Sequence, residues 1–223
     1  MPLRKIPLIN GEIYHIFNRG VNFQPIFRNK WDYNRALEVL KFYLVEKPAL
    51  RYGKFLLLPQ KERKSILINL QKQVKLVDII CYCLMPNHFH LLIKQNKDNG
   101  ISSFMRNFQI SYTRYYNERS KRIGPLLQGQ FKAVRMETEE QLLHVSRYIH
   151  LNPFSSFVVK QLKDSEVYPW SSYGEYLGQR TTEICQKSLI FSIIKFSGKY
   201  KEFVSDQADY QRKLDQIKHL TLD

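Results

Sequence analysis

Apolar and polar positions along the chain alternate between two periods. "GEIYHIFNRG" (Gly11 to Gly20) sets Ile, Tyr and Phe among polar residues between two glycines, the pattern of a strand. "WDYNRALEVLKFYLVEK" (Trp31 to Lys47) then shifts period. Ala36, Leu37, Leu40, Leu44 and Val45 recur at helical spacing, and Pro48 is expected to stop the helix. "KERKSILINLQKQVK" (Lys61 to Lys75) predicts a short amphipathic helix with a basic face. "VDIICYCLMPNHFHLLIKQ" (Val77 to Gln95) reads as two strands joined at Met-Pro-Asn, because Pro86 has no N–H for a ladder and Asn87 suits a turn. A helix follows over Ile101 to Arg122, with Phe104, Phe108 and Tyr112 at i, i+4 and i+8. The glycine-punctuated stretch "GPLLQGQFKAVRM" feeds a strand over Phe131 to Met136. "TEEQLLHVSRYIHLNP" opens a helix on Thr138 as N-cap, with acids in its first turn, and Pro153 is expected to close it. After "YPWSSY" (Tyr168 to Tyr173) the pattern weakens to short helices and a charged tail.

Strands joined by a tight turn, interleaved with one-faced helices, predict an α+β layered domain: an antiparallel sheet with helices packed on it. A doubly wound parallel sheet does not fit a pair of strands joined by so short a turn. The expected organisation is one domain over residues 1–173 and a short helical C-terminal extension over 174–223.

Composition adds a partner. The 223 residues carry 35 Lys+Arg against 20 Asp+Glu, a formal net charge of +15. Such a surplus repels itself unless a polyanion is the usual partner, and nucleic acid is the common one. The plain alternative is a basic surface without that role. Cys81, Cys83 and Cys185 show no disulfide-framework spacing, which suggests reduced thiols and a cytoplasmic setting, with Cys81 and Cys83 as core packing. No apolar stretch approaches the roughly 20 residues of a membrane span, and the start lacks a signal-peptide pattern, so no membrane partner is expected.

"CLMPNHFHLLIK" (Cys83 to Lys94) carries the candidate chemistry. On a strand, alternate side chains share a face, so His88 and His90 point one way and Phe89 the other. Phe89 can enter the core while the two imidazoles offer nitrogen ligands to one metal. The plain alternative is two polar residues on the wet face of a sheet. Two ligands are too few for a site, and a third must come from elsewhere. In "RYIHLNP", Tyr148 and Asn152 stand at i and i+4 on one helix face, offering a phenol and an amide oxygen. On spacing alone the plainer readings stand ahead: an ordinary aromatic for Tyr148 and a helix terminator for Asn152. His144 shares the Tyr148 face and is a possible assisting base or fourth ligand, whereas His150 points off it and reads as structural. Tyr115 and Tyr116 have only Arg119 and Ser120 at i+4, which are poor ligands.

"MPNHFHLLI", "GPLLQGQFKAV", "SRYIHLNP" and "YPWSSY", in that order, resemble the REP-associated tyrosine transposases, relatives of the small single-tyrosine transposases of bacterial insertion sequences. These belong to the HUH endonucleases, where U is a bulky apolar residue. The resemblance covers roughly Ile13 to Tyr173. It implies an RRM/ferredoxin-like fold with the histidines on a central strand. It further implies metal-dependent cleavage and rejoining of single-stranded, hairpin-forming DNA through a 5′-phosphotyrosine link. By motif match, His88, His90 and Asn152 hold Mg²⁺ or Mn²⁺, and Tyr148 is the nucleophile. No small-molecule cofactor is implied, and both monomers and homodimers occur among the relatives. The family commonly has a basic residue where Gln130 stands, and residues 61–75 are extra length. Arg19, Arg106, Arg114, Arg119, Arg122 and Lys132 are candidate DNA contacts, the helical ones beside Tyr112, Tyr115 and Tyr116, where bases can stack. The reading from a different class is a non-catalytic basic RRM-like nucleic-acid-binding protein.

Overall fold

The structure, a computed structural model, describes residues 7–46, 48, 50–180, 184–194 and 199–213. The start of the chain, Lys47 and the charged tail from 214 onward lie outside the described residues.

Four strands form one sheet: β1 (Ile13–Arg19), β2 (Val77–Met85), β3 (His88–Gln95) and β4 (Lys132–Arg135). Their spatial order is β2-β3-β1-β4, and every neighbouring pair is antiparallel. The first crossover, from β1 to β2, carries α1 (Lys30–Phe42), α2 (Tyr52–Phe55) and α3 (Gln60–Gln71). The second, from β3 to β4, carries α4 (Gly100–Ser120). This is the split βαβ arrangement of ferredoxin-like folds, with β3 an inner strand. α5 (Glu139–Ser155) follows, then α6 (Leu162–Glu166), α7 (Tyr173–Tyr176), α8 (Ser188–Ile194) and α9 (Lys199–Ser205).

Strand alternation divides the sheet into two apolar layers. Tyr14, Ile16, Phe89, Leu91 and Ile93 face the helices α1 and α4, where Ala36, Leu40, Phe104 and Phe108 complete the larger core. Cys81, Cys83, Met85 and Leu92 face the other way, toward Ile149 of α5 and Tyr173, Tyr200 and Val204 of the C-terminal segment. All three cysteines are free thiols, and Cys81 and Cys83 are core residues as expected. Among the described residues no helix is long and apolar enough to cross a membrane.

Two helix ends differ from the sequence expectation. α1 stops at Phe42, because Leu44 O accepts from Leu76 N at 2.7 Å and Val45 bridges Lys75, which draws the following residues into extended pairing. α5 does not close at Pro153 but runs on to Ser155. Proline removes one helical hydrogen bond. Burial of the whole run Ile149–Ser155 outweighs that loss, and Ser156 N to Asn152 O (3.0 Å) and Val159 N to Pro153 O (2.9 Å) close the end.

The Pro86–Asn87 turn that precedes the histidines is held from outside. Ile26 and Phe27 both donate their N–H to Pro86 O, and Gly20 N donates to Asn87 O at 2.8 Å. Gly20 must be glycine here, since a Cβ would lie 2.2 Å from Gln24 O. The "YPWSSY" segment covers the open edge of β2. Leu84 N donates to Trp170 O, Ser172 N donates to Tyr82 O, and the Trp170 ring stacks on Tyr33 at 4.6 Å. An unpaired edge strand invites association with another chain, and this segment removes it.

Candidate active site

β3 and α5 build the site between them. The strand puts His88 and His90 on the α5 side of the sheet, while Phe89 is fully buried on the other side against Phe108. α5 packs across β2 and brings one face, Tyr148 and Asn152, onto the imidazoles. Asn152 is 1% exposed, and its Oδ1 lies 3.2 Å from His88 Nε2. The Tyr148 ring meets His90 edge-on at 5.4 Å between centroids. His88 and His90 are themselves perpendicular at 5.0 Å.

α5 is anchored from behind. His150, fully buried as a structural residue, meets Tyr200 Oη at 2.6 Å and Ser172 Oγ at 2.7 Å. Gln211 donates to Tyr148 O at 3.1 Å, and the Arg212 guanidinium lies between Phe154 and Phe157, 4.1 Å from each ring. The C-terminal segment therefore fixes the helix that carries Tyr148 and Asn152. Burial pushes His150 down to about 3, so it stays neutral.

β1 contributes a residue that was not singled out in the sequence. His15 sits one strand over, with its Nε2 2.9 Å from His90 Nδ1 and its ring stacked on His90 at 5.1 Å. The alternation in "EIYHIFNR" already gave His15 and Phe17 one face; what was missing was the long-range pairing of β1 with β3 that sets Phe17 opposite His90. Burial pushes His15 down to about 4. Burial, then the neighbouring His88 and His15, holds His90 well below the usual imidazole range. Both rings are therefore neutral at pH 7, the state in which an imidazole nitrogen ligates a metal.

The donor set fits a hard or borderline divalent cation. His88 Nδ1 faces Asn87 Oδ1 at 2.7 Å, and His88 Nε2 faces Asn152 Oδ1. Both partners are amide oxygens, and Asn152 Oδ1 already accepts from Ser156 Oγ at 3.4 Å. In its neutral form, the form that ligates metals, the ring has one N–H, so it can donate to only one of these two oxygens and keeps one lone pair for a cation. Octahedral ions with bonds of about 2.0–2.1 Å hold adjacent donors roughly 3 Å apart, close to the separation seen. Among the described residues no three His, Cys, Asp or Glu side chains form a metal-holding group. The set here differs from such a group because its third donor is an amide, and His15 directs its Nε2 at His90.

The remaining candidates divide by face. Arg19 pairs opposite His88 in register, with Nε on Gln128 Oε1 at 2.5 Å and the guanidinium over Phe23. Lys132 is exposed and stands opposite Phe17, on the histidine face. Arg106 and Arg114 are exposed on α4, behind the sheet. On the same helix Arg119 donates to Tyr115 Oη, and after it Arg122 donates to Asn117 Oδ1 and Pro125 O. His144 Nδ1 lies 2.6 Å from Arg147 Nη2, and its Nε2 lies 3.5 Å from Glu140. Tyr112, Tyr115 and Tyr116 direct their hydroxyls at Ile26 O, Asp32 and Pro25 O, all on the α1–α4 side.

The family model described as IS200-like transposase matches residues 38–152, just over half of the chain. The chain belongs to the IS200-like transposase family. The matched region contains His88, His90, Tyr148 and Asn152 of this transposase, but not His15. No curated protein matches the sequence. Among solved structures, one described as a REP-associated tyrosine transposase bound to a REP hairpin is similar in fold, with a TM-score of 0.53 and 15% identity. The similarity covers 84% of this chain and 89% of that one.

Proposed function

We propose that this transposase is a metal-dependent, single-stranded DNA endonuclease and strand transferase that works through a covalent link on Tyr148. The supporting observation is that α5 brings Tyr148 and Asn152, one turn apart, onto the two histidines of β3. Tyr148 Oη attacks the scissile phosphorus. The new O–P bond forms as the P–O3′ bond breaks, the 3′ oxygen leaves as a hydroxyl, and the phenol's proton passes to it through solvent. The 5′ end remains on Tyr148. A second 3′-hydroxyl reverses the step, so the energy of the phosphodiester is kept and strands are exchanged. Tyrosine is a weak nucleophile at neutral pH and needs its phosphate target activated. A Mg²⁺ or Mn²⁺ ion held by His88, His90 and Asn152 would supply positive charge to the phosphate oxygens. The neutral donors add no negative charge to weaken it.

Hairpin-forming single strands are the proposed substrate, in line with the REP hairpin bound by the structural relative. Arg19 and Lys132 would hold its phosphates on the histidine face. One chain carries the whole donor set and the tyrosine, so the proposed working unit is complete as a monomer, in the cytoplasm with the DNA.

The test is covalent trapping. Labelled single-stranded hairpins from the DNA flanking the gene are mixed with protein and Mg²⁺ or Mn²⁺ and run on a denaturing gel. A labelled protein band with wild type, absent with Tyr148→Phe, His88→Ala or chelator, is expected. Tight binding by all variants with no band on any hairpin or on a random single-stranded library would make the protein a binding module instead.

A further inference from the structure

His15 has no part in the chemistry above, yet it is the nearest partner of a proposed ligand. We infer that His15 is a positioning residue that holds His90 in the one tautomer able to bind a cation. The inference rests on the proposed metal role of His90.

An imidazole ligates through a bare nitrogen. His90 Nδ1 is occupied by His15 Nε2 at 2.9 Å, which leaves His90 Nε2 for the site. For Nε2 to be bare, the His90 proton must sit on Nδ1, and His15 Nε2 must accept it. The opposite arrangement, with His15 donating, leaves a proton on His90 Nε2 and closes that nitrogen to metal. The shared contact therefore has a binding and a non-binding state that differ only in where protons sit. Ligating histidines commonly use their second nitrogen on a carboxylate or a carbonyl. Here an imidazole takes that place, accepting through a lone pair without adding negative charge beside the cation.

The fold keeps His15 in place. It lies mid-strand on β1, opposite Leu92 of β3 and Val134 of β4. Phe17 flanks its ring at 5.0 Å, and Tyr148 meets it edge-on at 6.1 Å. The stack on His90, only 25° from parallel, leaves the two rings little freedom to slide apart. His15 thus touches His90 and Tyr148 together, and its loss would loosen both.

The experiment measures Mn²⁺ binding to DNA-free protein, by calorimetry and by the spin resonance of the free ion, for wild type, His15→Phe, His15→Gln and His90→Ala. His15→Phe keeps the ring's bulk but cannot accept, and should weaken Mn²⁺ by about 10–100-fold, the usual cost of losing such a partner. His15→Gln offers an amide oxygen and should recover most of that loss. Wild-type affinity in His15→Phe overturns the inference. Melting temperatures without metal establish that each variant is folded. Should the variants fail to fold, nitrogen-15 correlation spectra of Mg²⁺-loaded wild type decide alone: a proton on His90 Nδ1 is expected, and one on Nε2 overturns it. Absence of Mn²⁺ binding by wild type, or full binding by His90→Ala, defeats the metal role itself, a failure distinct from loss of the His15 effect alone.

Discussion

Behind the sheet, Tyr112 donates its hydroxyl to Ile26 O, Tyr116 donates to Pro25 O, and Tyr115 reaches Asp32. On the other side, Tyr148 stands edge-on against His90 and His15, one helical turn from Asn152. All four are tyrosines on amphipathic helices beside basic residues. The difference lies in what the sheet offers each side. The α1–α4 side presents Phe89, Leu91 and Ile93, and the tyrosines there tie loops to a core. The α5 side presents imidazoles, and the same residue type there becomes a nucleophile candidate. Alternation along one strand, β3, sets both environments. A one-residue slip of its register would exchange them.

The largest effect that separates the two sides is on chemistry. Tyr148→Phe should remove covalent strand capture entirely and leave the melting temperature nearly unchanged. Phe108→Ala, on the back, should do the reverse. It empties a fully buried site against Phe89 and should cost about 3–5 kcal/mol of stability in denaturant titration, with capture by the folded fraction intact. Tyr112→Phe leaves Ile26 O without its partner in the core and should cost about 1–3 kcal/mol, again sparing capture. Loss of capture in Tyr112→Phe would break the division of labour between the faces.

A smaller effect is expected in acid. His150 refuses a proton when folded, with its value pushed down to about 3 by burial, while an unfolded histidine titrates near 6.5. The folded-state value is lowered, so stability is full above pH 6.5 and falls below it, by up to about 1.4 kcal/mol per pH unit. Urea titrations at pH 7.5 and 5.5 compared with those of His150→Asn should show a shallower loss in the variant. The smallest effect concerns charge. Arg19→Ala and Lys132→Ala lie on the histidine face and should each reduce the salt slope of hairpin binding by about 1. Arg106→Ala and Arg114→Ala lie behind the sheet and should change it little. Equal slopes for the two pairs would mean that DNA wraps the back as well.

Much of this division was legible in the residues. The period-two run of β3 gave the opposed faces of Phe89 and the histidines, and i, i+4 spacing put Tyr148 beside Asn152. What was not legible required contacts between distant segments. His15 is an ordinary polar position until β1 pairs with β3. The Pro153 stop failed because tertiary burial of Ile149–Ser155 outweighs one lost hydrogen bond. The α4 arginines looked equivalent to Arg19 and Lys132, because nothing in a helix's own spacing says which face of a sheet it will cover. "YPWSSY" had no evident role in the sequence and turns out to seal the β2 edge and brace His150 through Ser172.

Locating the DNA adduct decides whether the α5 side alone is chemical. Wild-type protein is reacted with a hairpin strand and Mg²⁺, digested with nuclease and trypsin, and the phosphorylated peptide is sequenced by mass spectrometry. One modified tyrosine among the 14 is expected, Tyr148, carrying the 5′ phosphate. An adduct on Tyr112, Tyr115 or Tyr116, or a phosphate linked through its 3′ side, would contradict it.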